Sequence, residues 1–334
     1  MGIVGHWSSV AEANKLTQSE LLAGIVQEIY ESGQLIQRLP VTGIDSLSLK
    51  WNREKTLPVA DFYDTGDVIP WTSDVEYADQ TEFTIKQIIR QDPIDEKTSK
   101  NYRNVNDYKA ILTSQLSKGC LRTMENYFIY GDIVANPKAF DGFHRLISAT
   151  QAVDAAETAG SLIALKRVIR MCKPRPDFLL MSPVIWDRLS WAQQFGIADS
   201  NNSRQQVAGF AWDKDDFGAS ILKYDGVPLW PSDYMVAENA NSGVIGTGTR
   251  SKHNTGTAQY SILAIRLGQI EDGGTSMLVG AETGGPQFFD YYEWPKLENY
   301  AAGGIRLTAY SALANGSTKS ISGYYDLTDA AFTF

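Results

Sequence analysis

The longest apolar periodicity in the chain runs through NVNDYKAILTSQLSKGCLRTMENYFIYG, from Asn104 to Gly131. Tyr108, Ile111, Leu112, Leu116, Cys120, Met124, Tyr127 and Phe128 recur at steps of one, three and four, which puts them on one face of an α-helix. Asn104 can cap the first turn, Asp107 places a carboxylate at its positive end, and Gly131 stands where a left-handed stop belongs. A helix of this span is a rod of roughly 39 Å. Gly119 at its middle costs about 1 kcal/mol relative to Ala, which predicts a close neighbour there. With a single apolar stripe, the element is a strut with one covered face.

Upstream, Thr17-Gln18-Ser19-Glu20 is a capping box, and Leu21, Leu22, Ile25, Val26 and Ile29 predict a helix over 18–32, stopped at Gly33. A polar N-terminal arm carrying Trp7 precedes it. Leu35–Leu39 and Leu47–Trp51 read as strands, and alternation returns at Phe83, Ile85 and Ile88. Between those ends lie about 30 residues with Pro58, Asp64-Thr65-Gly66-Asp67, Pro70 and Trp71 but no periodic face, longer than a compact domain ordinarily leaves unstructured. A two-stranded excursion is the economical reading. An isolated hairpin is marginal in water, so this one needs a surface to rest on.

After Gly131-Asp132 comes a turn-rich loop holding Phe140-Asp141-Gly142-Phe143. A second helix is predicted over 158–172, with Leu162, Leu165, Val168, Ile169 and Cys172 inward and Pro174 and Pro176 ending it. Phe178–Met181 reads as a buried strand, and Ser182-Pro183 as a helix start. Strands follow at Ser220–Tyr224, Val227–Trp230, Tyr260–Leu267, Met277–Val279 and Ile305–Ala314, with a polar, mobile loop expected from Glu238 to Thr257. The order is α+β, without the alternation of a doubly wound sheet.

Composition narrows the function classes. The 334 residues carry 39 acidic and 30 basic side chains, a net charge of −9, which argues against a dedicated nucleic-acid reader. The densest basic cluster, Lys166-Arg167 to Arg170 with Lys173 and Arg175 beyond, reads as a solvated helix face and leaves room only for weak, non-sequence-specific contact with DNA. No apolar run reaches the length of a membrane span, and the start MGIVGHWSSVAEANK lacks the features of a secretion signal. Cys120 and Cys172 each lie on an apolar helical face and read as buried free thiols, which fits a reducing compartment.

Catalytic signatures fail on named residues. Asp64-Thr65-Gly66 has no second copy to share a proton with and sits among turn formers. Asp213-Lys214-Asp215-Asp216-Phe217-Gly218 begins like a calcium loop but offers Phe217 and Tyr224 where oxygen ligands are needed. His6, His144 and His253 have no metal-ligand spacing, and His144 beside Phe143 reads as a packed or capping residue rather than a base. Gly246-Thr247-Gly248 is not followed by a helix. No catalytic, cofactor or metal residue is therefore assigned.

The order of elements resembles a family: an arm and short helix, a long hairpin, a long helix ending Tyr130-Gly131-Asp132, the Phe140-Asp141-Gly142 loop, a helix-and-strand lobe, and a last strand Gly304-Ile305-Arg306-Leu307-Thr308-Ala309-Tyr310. It is similar to tailed-bacteriophage major capsid proteins of the Hong Kong 97-type fold, shared with encapsulin shells. The resemblance implies an N-terminal arm and helix at 1–35, an extended loop at 44–88, a peripheral domain at 36–43, 89–152 and 283–334, and an axial domain at 153–282. It implies a non-enzymatic virion subunit, assembled in the host cytoplasm, that forms pentamers and hexamers of an icosahedral head enclosing double-stranded DNA. Its partners would be copies of itself, with separate scaffolding, portal and decoration proteins, and no membrane or cofactor. Inter-subunit contacts are expected from Trp7, Lys55, Phe62, Tyr63, Trp71 and Tyr77. The rival readings are an encapsulin-like compartment and, in another class, an acidic hydrolase without a recognisable motif.

Overall fold

The computed structural model describes residues 35–54, 59–69, 77–97, 108–198, 204–205, 207–214, 220–240, 250–280, 290–296 and 301–333. The expected arm and helix over 18–32, and the capping residues Asn104 and Asp107, lie outside them. Among the described residues the chain builds two principal sheets. The first is organised on one long strand, β15 (Ala302–Asn315). One of its edges pairs antiparallel with β4 (Lys86–Asp95), while the other takes β13 (Thr275–Gly280) and β14 (Asp290–Trp294) in succession. Ser311 accordingly faces Val279 on one side and Lys86 on the other. The short β1 (Val41–Ile44) closes this sheet by running parallel to β13.

The second sheet has seven strands. In spatial order these are β5 (Ala152–Thr158), β16 (Ile321–Leu327), β12 (Tyr260–Ile265), β6 (Phe178–Met181), β11 (Val227–Pro231), β10 (Ser220–Tyr224) and β9 (Phe210–Lys214). Successive side chains of a strand point to opposite faces, and the central strands use both. In β6, Phe178 and Leu180 enter one core while Leu179 and Met181 enter another, and in β12 Leu263 and Ile265 part from Ile262 and Ala264 in the same way. In β16, Tyr325 and Tyr324 divide likewise. Asp326 then adopts φ 56°, the register slips, and Leu327 returns to the side of Tyr324. A run such as Phe178-Leu179-Leu180-Met181 is apolar throughout because both its faces are buried.

One core lies under α3 (Leu162–Met171) and α4 (Pro183–Phe195), which bury Leu165, Val168, Ile185 and Leu189 against the seven-stranded sheet. The other core joins both sheets to α1 (Tyr108–Tyr130) through Met124, Phe128 and Ile129. Earlier in α1, Leu116 and Cys120 pack on Ile94, Ile305 and Leu307 of β4 and β15. The predicted stripe is thus the buried face. It omits Glu125, fully buried, whose carboxylate accepts from the N–H groups of Leu35 and Ile36 at 3.0 and 2.9 Å.

Several expectations need correction. Leu35–Leu39 is a helical turn rather than a strand, closed by Leu39 N donating to Leu35 O at 3.0 Å. A Cβ on Gly119 would meet nothing within 4 Å, so no close neighbour among the described residues accounts for it. Gly131 does not adopt positive φ, and what requires glycine there is proximity. A Cβ would collide with the carbonyl oxygens of Tyr127 and Phe140, and Gly142 N donates to Gly131 O at 2.9 Å. Strand pairing also crosses the sequence-based bounds: β13 joins the five-stranded sheet, and β16 the seven-stranded one.

The Gly131-to-Gly142 loop pins the end of α1 to the core. Phe140 packs 5.5 Å from the Phe128 ring, and Asp141 and Asp132 accept from Ile133 N and Val134 N at 2.9 Å each. A Cβ on Gly142 would sit 2.6 Å from Tyr127 O and 2.7 Å from Gly131 N. Gly142→Ala is expected to cost about 3 kcal/mol by overpacking, read as a lower denaturant midpoint at unchanged slope. An unchanged midpoint would contradict the close-contact explanation.

Candidate functional site

The excursion predicted between Leu47 and Ile88 is a two-stranded ribbon, β2 (Ser48–Glu54) against β3 (Tyr77–Thr84). Cross-strand pairs hold its root: Trp51 stacks on Phe83 at 5.1 Å, and Lys50 pairs with Glu82 at 3.0 Å. Arg53 fastens that root to the body. Its guanidinium donates to Gly316 O at 3.0 Å and to Asn315 O and Oδ1 at 2.7 and 2.9 Å, while Trp51 Nε1 donates to Gly316 O at 3.3 Å. Leu49, Trp51 and Phe83 rest against the core that joins the two sheets.

The far end has no such cover. Phe62 is 105% exposed and Tyr63 44%, and Val59, Val68 and Ile69 are exposed with them. Asp64-Thr65-Gly66-Asp67 folds as a turn, with Asp67 N donating to Asp64 O at 3.1 Å, Asp64 N donating to Asp67 Oδ2 at 2.8 Å, and Gly66 at φ 102°. The triplet is an open hairpin turn. Leaving an aromatic or branched side chain in water forgoes about 1.5–3 kcal/mol apiece relative to burial. Clustered exposure of this kind marks an interaction surface.

Of the expected contact residues, Phe62 and Tyr63 come together on this tip. Tyr77 starts β3, and Trp7, Lys55 and Trp71 lie outside the described residues. Sequence reading passed over Arg53, the residue that fastens the hairpin's root. A lone Arg in an alternating strand carries no signal of a partner more than 260 positions away.

It also passed over a buried polar network. Glu238 is 0% and His144 3% exposed. His144 Nε2 lies 3.2 Å from Glu238 Oε1 at an angle poor for a hydrogen bond, and its ring stacks on Tyr130 at 5.1 Å. Tyr130 Oη donates to Glu238 Oε1 at 3.1 Å, and Ser261 Oγ donates to Oε2. Beside them Arg250 pairs with Asp326 at 2.5 Å and lies 4.4 Å over the Tyr325 ring. Burial raises the Glu238 carboxyl, but His144, Ser261 and Arg250 more than offset it, and its pKa falls below the ordinary 4.5. Burial pushes Tyr130 well above its usual range.

Apart from half-buried Tyr130, these groups are closed to solvent and offer a substrate no open face. They clamp both ends of the polar stretch instead. Glu238 and Gln259 exchange backbone hydrogen bonds at 2.8 and 3.0 Å, and His253 N donates to Ala237 O at 2.8 Å. The loop expected to be mobile from Glu238 to Thr257 is therefore anchored at its flanks, while 241–249 lies outside the described residues.

Other chemistry-bearing residues stay apart. Asp213 sits on β9 paired with Lys223. Cys120 and Cys172 are buried and free, and burial pushes the Cys172 thiol up to about 12. Among the described residues no group of His, Cys, Asp and Glu could hold a metal ion, and no helix is long and apolar enough to cross a membrane.

No protein-family model matches the sequence, and no curated protein matches it. Solved structures do. An encapsulin complex from Synechococcus elongatus shares 15% identity at a TM-score of 0.67, with 97% of each chain covered. The capsid of an empty GTA particle shares 11% at 0.62, covering 95% of this chain and 98% of that one. The Mycobacterium phage Adephagia structure shares 14% at 0.56, covering 96% and 98%. The chain has the Hong Kong 97-type fold, α+β and nearly end to end, as the order of its elements implied.

Two outcomes follow from the geometry. Arg53→Ala is expected to remove about 1.5–3 kcal/mol of charge-assisted hydrogen bonding and to speed amide exchange in β2 and β3 while leaving β12 protected. For Glu238, the folded pKa lies below the unfolded one. Its contribution is thus complete above about pH 4.5 and lost as pH falls through the folded value. Glu238→Gln should cost about 3 kcal/mol near neutral pH by breaking a buried pair, with the gap to wild type narrowing in acid. A pH-independent gap would contradict this reading.

Proposed function

We propose that this chain is a major capsid protein, a structural subunit without catalysis that self-assembles into the pentamers and hexamers of an icosahedral phage head enclosing double-stranded DNA. The observation that carries the reading is the exposed apolar hairpin tip, held at its root by Arg53, on a chain with the fold of shell proteins. In a ring, each copy sets one patch against a different patch on the next. The tip supplies the first patch, with Phe62 and Tyr63 as anchors and Trp7, Lys55, Trp71 and Tyr77 as further contacts. Residues 44–88 form the extended loop, the peripheral domain is built on the sheet of β15 and so includes β13, and the axial domain is built on the seven-stranded sheet and so includes β16. The subunit works in the virion after assembly in the host cytoplasm, with scaffolding, portal and decoration proteins as separate partners.

A second reading within the fold is an encapsulin-like compartment around a protein cargo, favoured by the likeness to the Synechococcus elongatus complex. Particles purified from producing cells distinguish the two, since a phage head packages DNA and a compartment retains a protein.

Electron microscopy and light scattering of the purified protein are expected to show rings or shells. A monomer or dimer at every concentration and salt tried would sink the proposal. Deleting 59–69 removes the tip and leaves the Trp51–Phe83 and Arg53 contacts in place. That variant should stay folded and soluble, with a circular dichroism spectrum close to wild type, and fail to assemble. Normal assembly by it would remove the tip from the account.

A further inference from the structure

Five cations that sequence alone scatters between a helix and a distant turn share one cleft. Lys166, Arg167 and Arg170 lie on α3, Lys173 follows its end, and Lys319 arrives from the turn before β16, where Lys173 N donates to Lys319 O at 2.9 Å. With Gln151, Ile163 and Met171 they line a cavity of about 540 Å³. Four of the five are exposed and Lys166 is half-buried. The chain has 39 carboxylates to 30 basic groups, yet among the described residues no acidic side chain lines this cleft. Among the described residues none of the five has an ion-pair partner. Arg175, the other cation of the cluster, is engaged elsewhere, donating to Asp225 O.

Like charges gathered without counter-charge repel one another, at a cost that a bound polyanion removes. Gln151 adds a second observation. It is 8% exposed, it lines the same cleft, and its Oε1 has no partner. The two ends of an amide are interchangeable by rotation, so it can turn an N–H toward an incoming oxygen.

We propose that this cleft binds the phosphate backbone of nucleic acid, independently of base sequence. The volume far exceeds what one inorganic phosphate fills, which favours an extended chain of anions. Lys166 and Arg170 stand one helical turn apart, about 6 Å along the axis, as a row suited to repeating charges. A protein partner would need apolar anchors, and beyond Ile163 and Met171 the lining is, among the described residues, charged or polar. Charge without apolar anchoring or a base-reading surface is the signature of backbone contact. The local grip is compatible with a net negative subunit, which repels DNA elsewhere on its surface.

The test is anisotropy of a fluorescent mixed-sequence DNA duplex with the full-length protein. A second measurement uses the 59–69 deletion, so that loss of assembly and loss of DNA binding are read separately. Wild type should bind and, with about four phosphates engaged, lose roughly 100-fold in affinity between about 50 and 200 mM salt. Arg170→Glu should weaken binding roughly tenfold or more at fixed salt with unchanged thermal stability, while Lys138→Glu, an equal charge change outside the cleft, should have little effect. Three results would overturn the proposal: no binding by wild type, equal losses in the two variants, or capture of a 59–69 peptide in the cleft where the duplex fails to bind.

Discussion

Apolar side chains held in water at the end of a fixed arm are the constraint from which this molecule is best understood. If the hairpin were loose, Phe62, Tyr63, Val68 and Ile69 could fold back onto the body. Arg53 opposes that. Its three hydrogen bonds to Asn315 and Gly316 at the end of β15 and the Trp51–Phe83 stack set the root, and Phe62, Tyr63, Val68 and Ile69 at the tip are exposed. Burial of several such side chains is worth several kcal/mol, and in the proposed assembly the cover that recovers it is a surface of the next copy. The strand that receives Arg53 is also the long strand on which β4, β13 and β14 assemble, so the arm is tied to the strand that organises the sheet.

Much of this was legible in the sequence wherever one face of an element is apolar. The stripe from Leu116 to Phe128 gave the buried face of α1, and the unperiodic segment after Trp51 gave the hairpin, because a segment with no face of its own has nothing to bury. Polar satisfaction was not legible. β16 was missed because Ser322 and Asp326 interrupt its apolar run; both are buried, Ser322 Oγ donating to Val168 O at 2.8 Å and Asp326 pairing with Arg250. Glu125 hides on the buried face of α1 for the same reason, its charge met by two backbone N–H groups. Such partners lie far apart in sequence, and pattern rules see only neighbours.

Glycines illustrate a different gap. Gly131 was expected to end α1 by a left-handed residue, yet its requirement is the close approach of backbone around Phe140 and Gly142. Sequence marks that a glycine is present, and only the fold says whether conformation or space demands it. The basic cluster followed the same course. Its helix was visible from the start, but Lys319 and the absence of lining carboxylates among the described residues became visible only with the fold. Surface charge here is divided between an acidic whole and a local basic cleft.

The most direct measurement of the central claim is site-specific photo-cross-linking from position 62. A photoreactive residue there should yield products between chains, seen as a ladder of dimer and higher bands under denaturing electrophoresis. Confinement of all cross-links to a single chain would mean that the tip finds its cover at home, and would contradict the assembly account.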